Sequence, residues 1–231
     1  MPNRIGKARR AIQKLDRQHN CDHQSSASVS LGWLSHAERK SDMANFQIHT
    51  AQSAPEAAEL IQGAKNAFGF LPNLLGTMAE APALLEGYMT LAGIFDQTSL
   101  SPTERQIVLM VNNRLNGCTY CMSAHTGISK SQGVPDDVIE SLRTGTPIVD
   151  AKLEALRVFA VRINESRGWP EQSDIDALLS AGYTNRTILE VILGTALKVM
   201  SNYTNHIAST PLDDAFAAVE WTPDELVEAV G

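Results

Sequence analysis

Cys118 and Cys121 stand three residues apart, and His125 follows four residues later. Two cysteines at that spacing can close a small disulfide, and on a helix His125 lies one turn beyond Cys121 on the same face. If a helix begins near Cys118, the three side chains converge on one patch. The unpaired N–H groups and macrodipole of a helix N-terminus also favour thiolate over thiol. This is the arrangement of a reactive, reversibly oxidised dithiol. Folding the chain back at Asn116-Gly117 into an antiparallel helix pair sets Glu104 roughly opposite the turn beyond His125. Glu104 shares a helix face with Val108, Val111 and Leu115. Its carboxylate is therefore expected to point inward, with a raised pKa suited to proton exchange near neutrality.

Each residue also has a plainer role open to it. Glu104 is the third residue of a Ser101-Pro102-Thr103-Glu104 capping box, where it would accept the Ser101 N–H. A lone helical histidine is often structural. Cys118, Cys121 and His125 could supply three zinc ligands, with Glu104 or water as the fourth. Zinc ribbons and fingers usually draw ligands from two separated pairs, however, and no second Cys/His cluster occurs here, so neither a metal nor another cofactor is expected. His206, after Asn202-Tyr203-Thr204-Asn205, is a candidate to support the same cavity from behind. Trp169 and Trp221 lie in Pro-flanked loops and are expected to be packing anchors. His19, Cys21, His23, His36 and His49 fall outside the patterned body and are assigned no role.

The 231 residues are 43% hydrophobic and 19% charged, the balance of a soluble globular protein. The net charge of −7 divides into +4 over residues 1–42 and −11 over the remainder. An acidic body argues against nucleic acid or an anionic membrane as partner. No apolar run approaches the roughly 20 residues of a membrane span, and the first residues lack a secretory apolar stretch. A cytoplasmic protein is expected, with its cysteines serving redox or metal chemistry rather than a disulfide framework. Residues 1–42 read as a basic and polar extension, open to three interpretations: a poorly ordered tail, a transit-like segment, or sequence upstream of a true start at Met43. Residues 43–231 read as one all-helical domain.

The elements that must position the dithiol follow from three- and four-residue apolar spacing. Helices are predicted over 56–68, 74–80 and 83–95. The next runs from the capping box to Leu115, and the dithiol helix from about Cys118 to Gln132-Gly133. Further helices are expected over 136–143, 150–166, 173–181 and 185–203. No alternating strand pattern of useful length occurs, so the fold class is all-α. Glu104-to-Asn116 and Glu190-to-Asn202 have equal length, and each precedes a polar cluster ending in histidine, a weak hint of duplicated helical hairpins.

With Glu104-Arg105-Gln106, Leu115-Asn116-Gly117-Cys118-x-x-Cys121-x-x-x-His125 and Gly133-Val134, the chain resembles the alkylhydroperoxidase D-like (AhpD-like) branch of the carboxymuconolactone decarboxylase family. It looks closest to the peroxidase-related enzymes of that branch. The Phe68-Gly69-Phe70-Leu71-Pro72-Asn73 run and the Asn205-His206-Ile207-Ala208-x-x-Pro211-Leu212-Asp213 ending also fit, so that about residues 50–215 are covered. The resemblance implies an AhpD-like helical bundle with the CxxC at the start of a central helix. It also implies self-assembly into trimers or hexamers and reduction of hydroperoxides by a dithiol. Carried onto this chain, Cys121 is the thiol oxidised to sulfenic acid, Cys118 the resolving thiol and proton donor, and Glu104 with His125 the relay. A lipoyl- or thioredoxin-like dithiol protein would be the reductant. Family peroxidases carry a histidine between the cysteines where this chain has Tyr120, which leaves a weaker peroxidase or a general thiol–disulfide oxidoreductase as an alternative. Family decarboxylases lack the CxxC, which disfavours carbon-acid chemistry here.

Overall fold

A computed structural model describes residues 46–223. The expectations for residues 1–42 and for a start at Met43 lie outside the described residues. Nine α-helices and two 3-10 turns make up the described part, with no strand among them.

A 3-10 turn over Pro55–Ala57 leads into α1 (Ala58–Phe68), which ends on Gly69 in the left-handed conformation. Then follow α2 (Asn73–Met78), α3 (Pro82–Asp96) and α4 (Pro102–Leu115). Next come α5 (Thr119–Ser131), α6 (Asp136–Thr144), α7 (Ala151–Glu165), α8 (Gln172–Ser180) and α9 (Asn185–Ala208). A second 3-10 turn, Asp214–Val219, closes back over α5. The predicted boundaries hold within two residues except at the end of α9, which continues five residues past the expected Tyr203. The polar Asn202-Tyr203-Thr204-Asn205 cluster reads as a helix end, yet Asn202 and Asn205 are buried and hydrogen-bonded, so the helix continues to Ala208. The hint of duplicated hairpins fails for the same reason: α4 stops at the turn before Cys118, whereas α9 runs straight through Asn202.

Two apolar clusters flank the dithiol. The larger is built on α4, with Ile107, Val108 and Met110 meeting Phe95, Leu156, Phe159 and Val191. The smaller gathers Ile61, Ala64, Leu74, Leu75, Met78 and Leu85 from α1–α3 around Cys118, Tyr120 and Cys121. Burying each large side chain contributes about 1.5–3 kcal/mol against exposure, so both clusters hold their helices firmly. α9 crosses α4 and α3 closely at Gly194, where a Cβ would meet Val108 at 2.7 Å and Phe95 at 2.8 Å. Trp221 is buried as expected, donating from Nε1 to the Arg143 carbonyl. Trp169 is not an anchor: it is 85% exposed on the tip of its Gly-Trp-Pro loop.

Candidate active site

Gly117 sets up the site. Its φ of +65° is a left-handed conformation that glycine adopts freely, and it turns the chain from α4 into α5. Cys118 N–H then donates to the Asn113 carbonyl at 2.9 Å, which leaves Cys118 as the N-cap of α5 and Cys121 in its first turn. Both cysteines are reduced and buried.

The inner face of α9 meets them with Lys198, Ser201, Asn202 and Asn205, all buried. Asn205 donates from Nδ2 to Cys121 Sγ at 3.1 Å, with Cys118 Sγ at 3.8 Å. The two thiols differ in character. Cys118 is pushed up, first by its hydrogen bond to Cys121 and then by burial. For Cys121 burial acts in the same upward direction, but it is outweighed. The Cys118 thiol, the Lys198 charge, Ser201 and Asn202 all favour its ionised form, and its pKa is lowered. The pair therefore holds one proton on Cys118 and a thiolate on Cys121.

His125 closes this face. Nδ1 lies 2.8 Å from Gln106 Oε1, and Nε2 lies 3.0 Å from Lys198 Nζ. A glutamine oxygen only accepts and a lysine ammonium only donates, so the partners fix the tautomer. Nδ1 carries the proton and Nε2 the lone pair. Gln106 is held in turn, donating from Nε2 to Gln132 Oε1 at 3.0 Å. Burial, and secondarily Lys198, place the His125 pKa well below its usual range, so the ring is neutral. Both ring nitrogens are engaged, and among the described residues no group of three His, Cys, Asp or Glu could hold a metal ion.

A chain of asparagines fixes the backbone beneath the dithiol. Asn164 donates to Asn112 at 2.8 Å and to Asn116 at 3.3 Å. Asn116 donates to Asn202 at 2.8 Å, Asn202 to Asn113 at 3.0 Å, and Asn113 to the Cys121 carbonyl at 3.2 Å. These bonds link α4, α5, α7 and α9 through an otherwise apolar interior, where an unmade bond would be costly.

One sequence expectation is corrected here. Glu104 does not carry a raised pKa. Burial pushes its carboxyl up, but the Ser101 backbone and hydroxyl, Tyr183 and Lys152 together hold it below the ordinary carboxylate range. It accepts the Ser101 N–H at 2.8 Å, while its own N–H donates to Ser101 Oγ at 3.2 Å, completing the capping box. None of its hydrogen-bond partners belongs to the dithiol cluster. Tyr120, between the two cysteines, is a clamp: its hydroxyl donates to the Asp213 carboxylate and accepts the Leu74 N–H. Burial and then Asp213 push its pKa up, so it stays protonated. Asp213 also accepts the Asn73 N–H at 3.0 Å, so the trio ties the start of α2 and the post-α9 segment to α5. His206 stacks on Tyr203 with ring centroids 6.4 Å apart, and it is its neighbour Asn205 that donates to the sulfurs.

Lys198 and Asn205 were missed by sequence reasoning, although a signal existed. Val191, Gly194, Lys198, Ser201, Asn202 and Asn205 repeat at three- and four-residue spacing, so a lysine and two asparagines lie on the buried stripe of α9.

A cavity with about 50 Å³ of room opens beside Cys121. Lys198, His125 and Tyr88 supply its polar groups, and Phe68, Leu74 and Phe216 its apolar walls.

Residues 80–161, from the turn before α3 into α7, match the carboxymuconolactone decarboxylase family. That segment contains Cys118, Cys121, His125 and Gln106, and the chain has the AhpD-like fold. Several solved structures share the fold, three of them as follows. A variant of the debrominase Bmp8, in complex with 2,3,4-tribromopyrrole, is 22% identical over 77% of this chain and 97% of its own, with a TM-score of 0.64. A peroxidase-related protein from Silicibacter sp. TM1040 is 20% identical over 76% and 97%, with a TM-score of 0.64. An AhpD-core, peroxidase-related protein from Ralstonia eutropha JMP134 is 19% identical over 79% and 99%, with a TM-score of 0.67. No curated protein matches the chain.

Proposed function

We infer that the protein is a thiol peroxidase that reduces hydroperoxides with the Cys118–Cys121 pair. The observation that carries this reading is the asymmetry of the dithiol: an ionised Cys121 facing a cavity, with a protonated Cys118 beside it. A thiolate is the form that attacks a peroxide, and a neighbouring thiol is what resolves the product. Cys121 attacks the O–O bond and becomes sulfenic acid. Cys118 condenses with it to give an intramolecular disulfide and water. Asn205 Oδ1, buried and without a hydrogen-bond partner among the described residues, is placed to accept the sulfenic hydroxyl. A lipoyl- or thioredoxin-like dithiol protein then reduces the bridge.

The neutral His125 does not supply a proton at physiological pH; it orients Lys198 through Nε2. Self-assembly into trimers or hexamers is part of this proposal. Leu189, Ile192, Ala196, Val199, Tyr203 and Ile207 form an exposed stripe along α9, at the spacing of a helix-packing seam. Sedimentation of the wild type beside Ile192→Glu checks it: the assembly should dissociate in the variant.

The function is tested by hydroperoxide consumption with dithiothreitol as donor, for wild type, Cys118→Ser and Cys121→Ser. Wild type should turn over, Cys118→Ser should lose sustained turnover, and Cys121→Ser should fall to background. Equal rates in all three would overturn the reading.

A further inference from the structure

Lys198 is the most unusual charge in the described part of the molecule. It sits mid-helix on α9, is 1% exposed, and has no carboxylate partner among the described residues. Its one hydrogen bond runs to His125 Nε2, an uncharged acceptor. Burying an ammonium without an anion is strongly unfavourable, and lysines so placed usually lose their proton. The titratable groups its charge reaches are Cys118 and Cys121 at the start of α5, His125 further along α5, and Tyr88 of α3. α2 brings no titratable side chain to this face, and on α4 Glu104, Arg105 and Arg114 bond to Ser101, the Leu100 carbonyl and the Arg143 carbonyl. On α7 Lys152 lies over the Tyr183 ring, Glu154 pairs with Arg157 and Glu165 with Arg162. Of these groups only Cys121 becomes an anion in the working pH range. The counter-ion of Lys198 is therefore the very atom that redox chemistry removes.

We propose that Lys198 is the proton carrier of the dithiol, charged while Cys121 is a thiolate and neutral once Cys118 and Cys121 are bridged. This rests on the redox reading of the CxxC and adds to it the source and destination of one proton. With a hydroperoxide ROOH in the cavity that Lys198 and Cys121 both line, the Cys121 sulfur bonds to the terminal oxygen as the O–O bond breaks. The departing alkoxide takes a proton from the Lys198 ammonium and leaves as ROH. Cys121 is now a sulfenic acid and Lys198 a neutral amine. Cys118 sulfur then displaces hydroxide from Cys121, and the Cys118 proton leaves with it as water. The peroxide has gained two electrons and the cysteine pair has lost two. On reduction, a donor dithiol becomes a disulfide and its two protons return to Cys118 and Lys198. Nε2 of His125 can accept a hydrogen bond from either form of the amine, which keeps Lys198 in place through the cycle.

The test is the equilibrium between dithiol and disulfide in dithiothreitol redox buffers from about pH 6 to pH 8, below the usual thiol range. The fraction bridged is read by alkylation and mass, and corrected for the buffer's own pH dependence. Ultraviolet thiolate absorbance of the reduced protein is recorded alongside. The proposal expects thiolate absorbance throughout, together with uptake of two protons on reduction. Two protons change the equilibrium constant about 100-fold per pH unit, or about 59 mV for a two-electron couple. A thiolate with uptake of one proton, about tenfold per pH unit, would mean that Lys198 keeps its charge and would overturn the proposal. Lys198→Arg, which cannot release a proton, should keep the thiolate and show the one-proton slope. A two-proton slope in that variant with the thiolate retained would also overturn the proposal. Because no peroxide is used, failure of the peroxidase reading leaves this result intact. Absence of any bridge in oxidising buffer would remove the redox reading and the proposal together.

Discussion

The N-termini of α4 and α5 place two pairs of side chains in the same backbone geometry. In α4 the N-cap and the third helical residue are Ser101 and Glu104; in α5 they are Cys118 and Cys121. At both ends the two side chains meet across one turn. With oxygen ligands the result is a reciprocal cap: Ser101 and Glu104 each satisfy the other's backbone N–H, and the carboxylate is held ionised. With sulfur the result is a thiol hydrogen-bonded to a thiolate, and no side-chain cap closes the helix. The surroundings complete the division. Glu104 looks toward Tyr183 and Lys152 at the edge of the larger core, whereas Cys121 looks onto the polar stripe of α9 and a cavity. One turn geometry thus closes a helix cap at one site and sets two sulfurs beside a cavity at the other, according to the elements placed on it.

The largest effect should come from removing the reactive element. Cys121→Ser should abolish hydroperoxide consumption while leaving the helical circular-dichroism spectrum unchanged. Next is the charge facing it. A lowered thiol pKa keeps the thiolate present as pH falls below the ordinary value near 8.5, and loses it only as pH drops through the folded value. The wild-type rate of sulfenic acid formation should therefore stay flat from about pH 8.5 toward neutrality and fall only in acid. Lys198→Met should move that fall to higher pH, lowering the neutral rate about tenfold for each pKa unit regained. Stopped-flow reaction with hydroperoxide across pH measures both.

The asparagine chain ties the two helix starts together, because Asn113 holds the Cys121 carbonyl from the same helix that Glu104 begins. Asn202→Ala removes the donor to the buried Asn113 Oδ1 and the acceptor of Asn116 Nδ2, which should cost about 1–3 kcal/mol and lower the melting temperature. The smallest effect is predicted at the oxygen-built terminus. Glu104→Gln should keep peroxide turnover within about twofold and cost less than about 1 kcal/mol, in the range of helix caps. Its pH signature has a definite sign. A carboxyl lowered by folding contributes stability above its unfolded value near 4.3, and loses it as pH falls through the folded value. Acid melting curves of Glu104→Gln should lack that contribution. A large loss of turnover with unchanged melting would return Glu104 to the relay that its spacing first suggested.

Much of this architecture is legible in the sequence. The capping box, the Asn116-Gly117 turn, Gly133 and the apolar spacing state where α4 and α5 begin and end. What the spacing could not convey was which neighbour each polar residue faces. Glu104 obeys the inward pattern of Val108 and Val111, yet its first-turn position lets it bond locally to Ser101, and the local bond wins. Asn202 and Asn205 look like the end of a helix because polar clusters usually are solvated. Their burial depends on partners in α4 and α5 that lie more than eighty residues away in sequence. Lys198 stood on the buried stripe in plain view, but its meaning depends on the thiolate brought to it by folding. Tyr120 shows the reverse case. A phenol between two cysteines suggests chemistry, and Asp213 makes it a clamp.

The most direct measurement is the mass and thiol content of the purified protein after one equivalent of tert-butyl hydroperoxide, with peptide mapping and with Cys118→Ser in parallel. The wild type should lose both thiols to a Cys118–Cys121 bridge, and the variant should trap a sulfenic acid on Cys121. Intact thiols on Cys118 and Cys121 after exposure to the peroxide would contradict it.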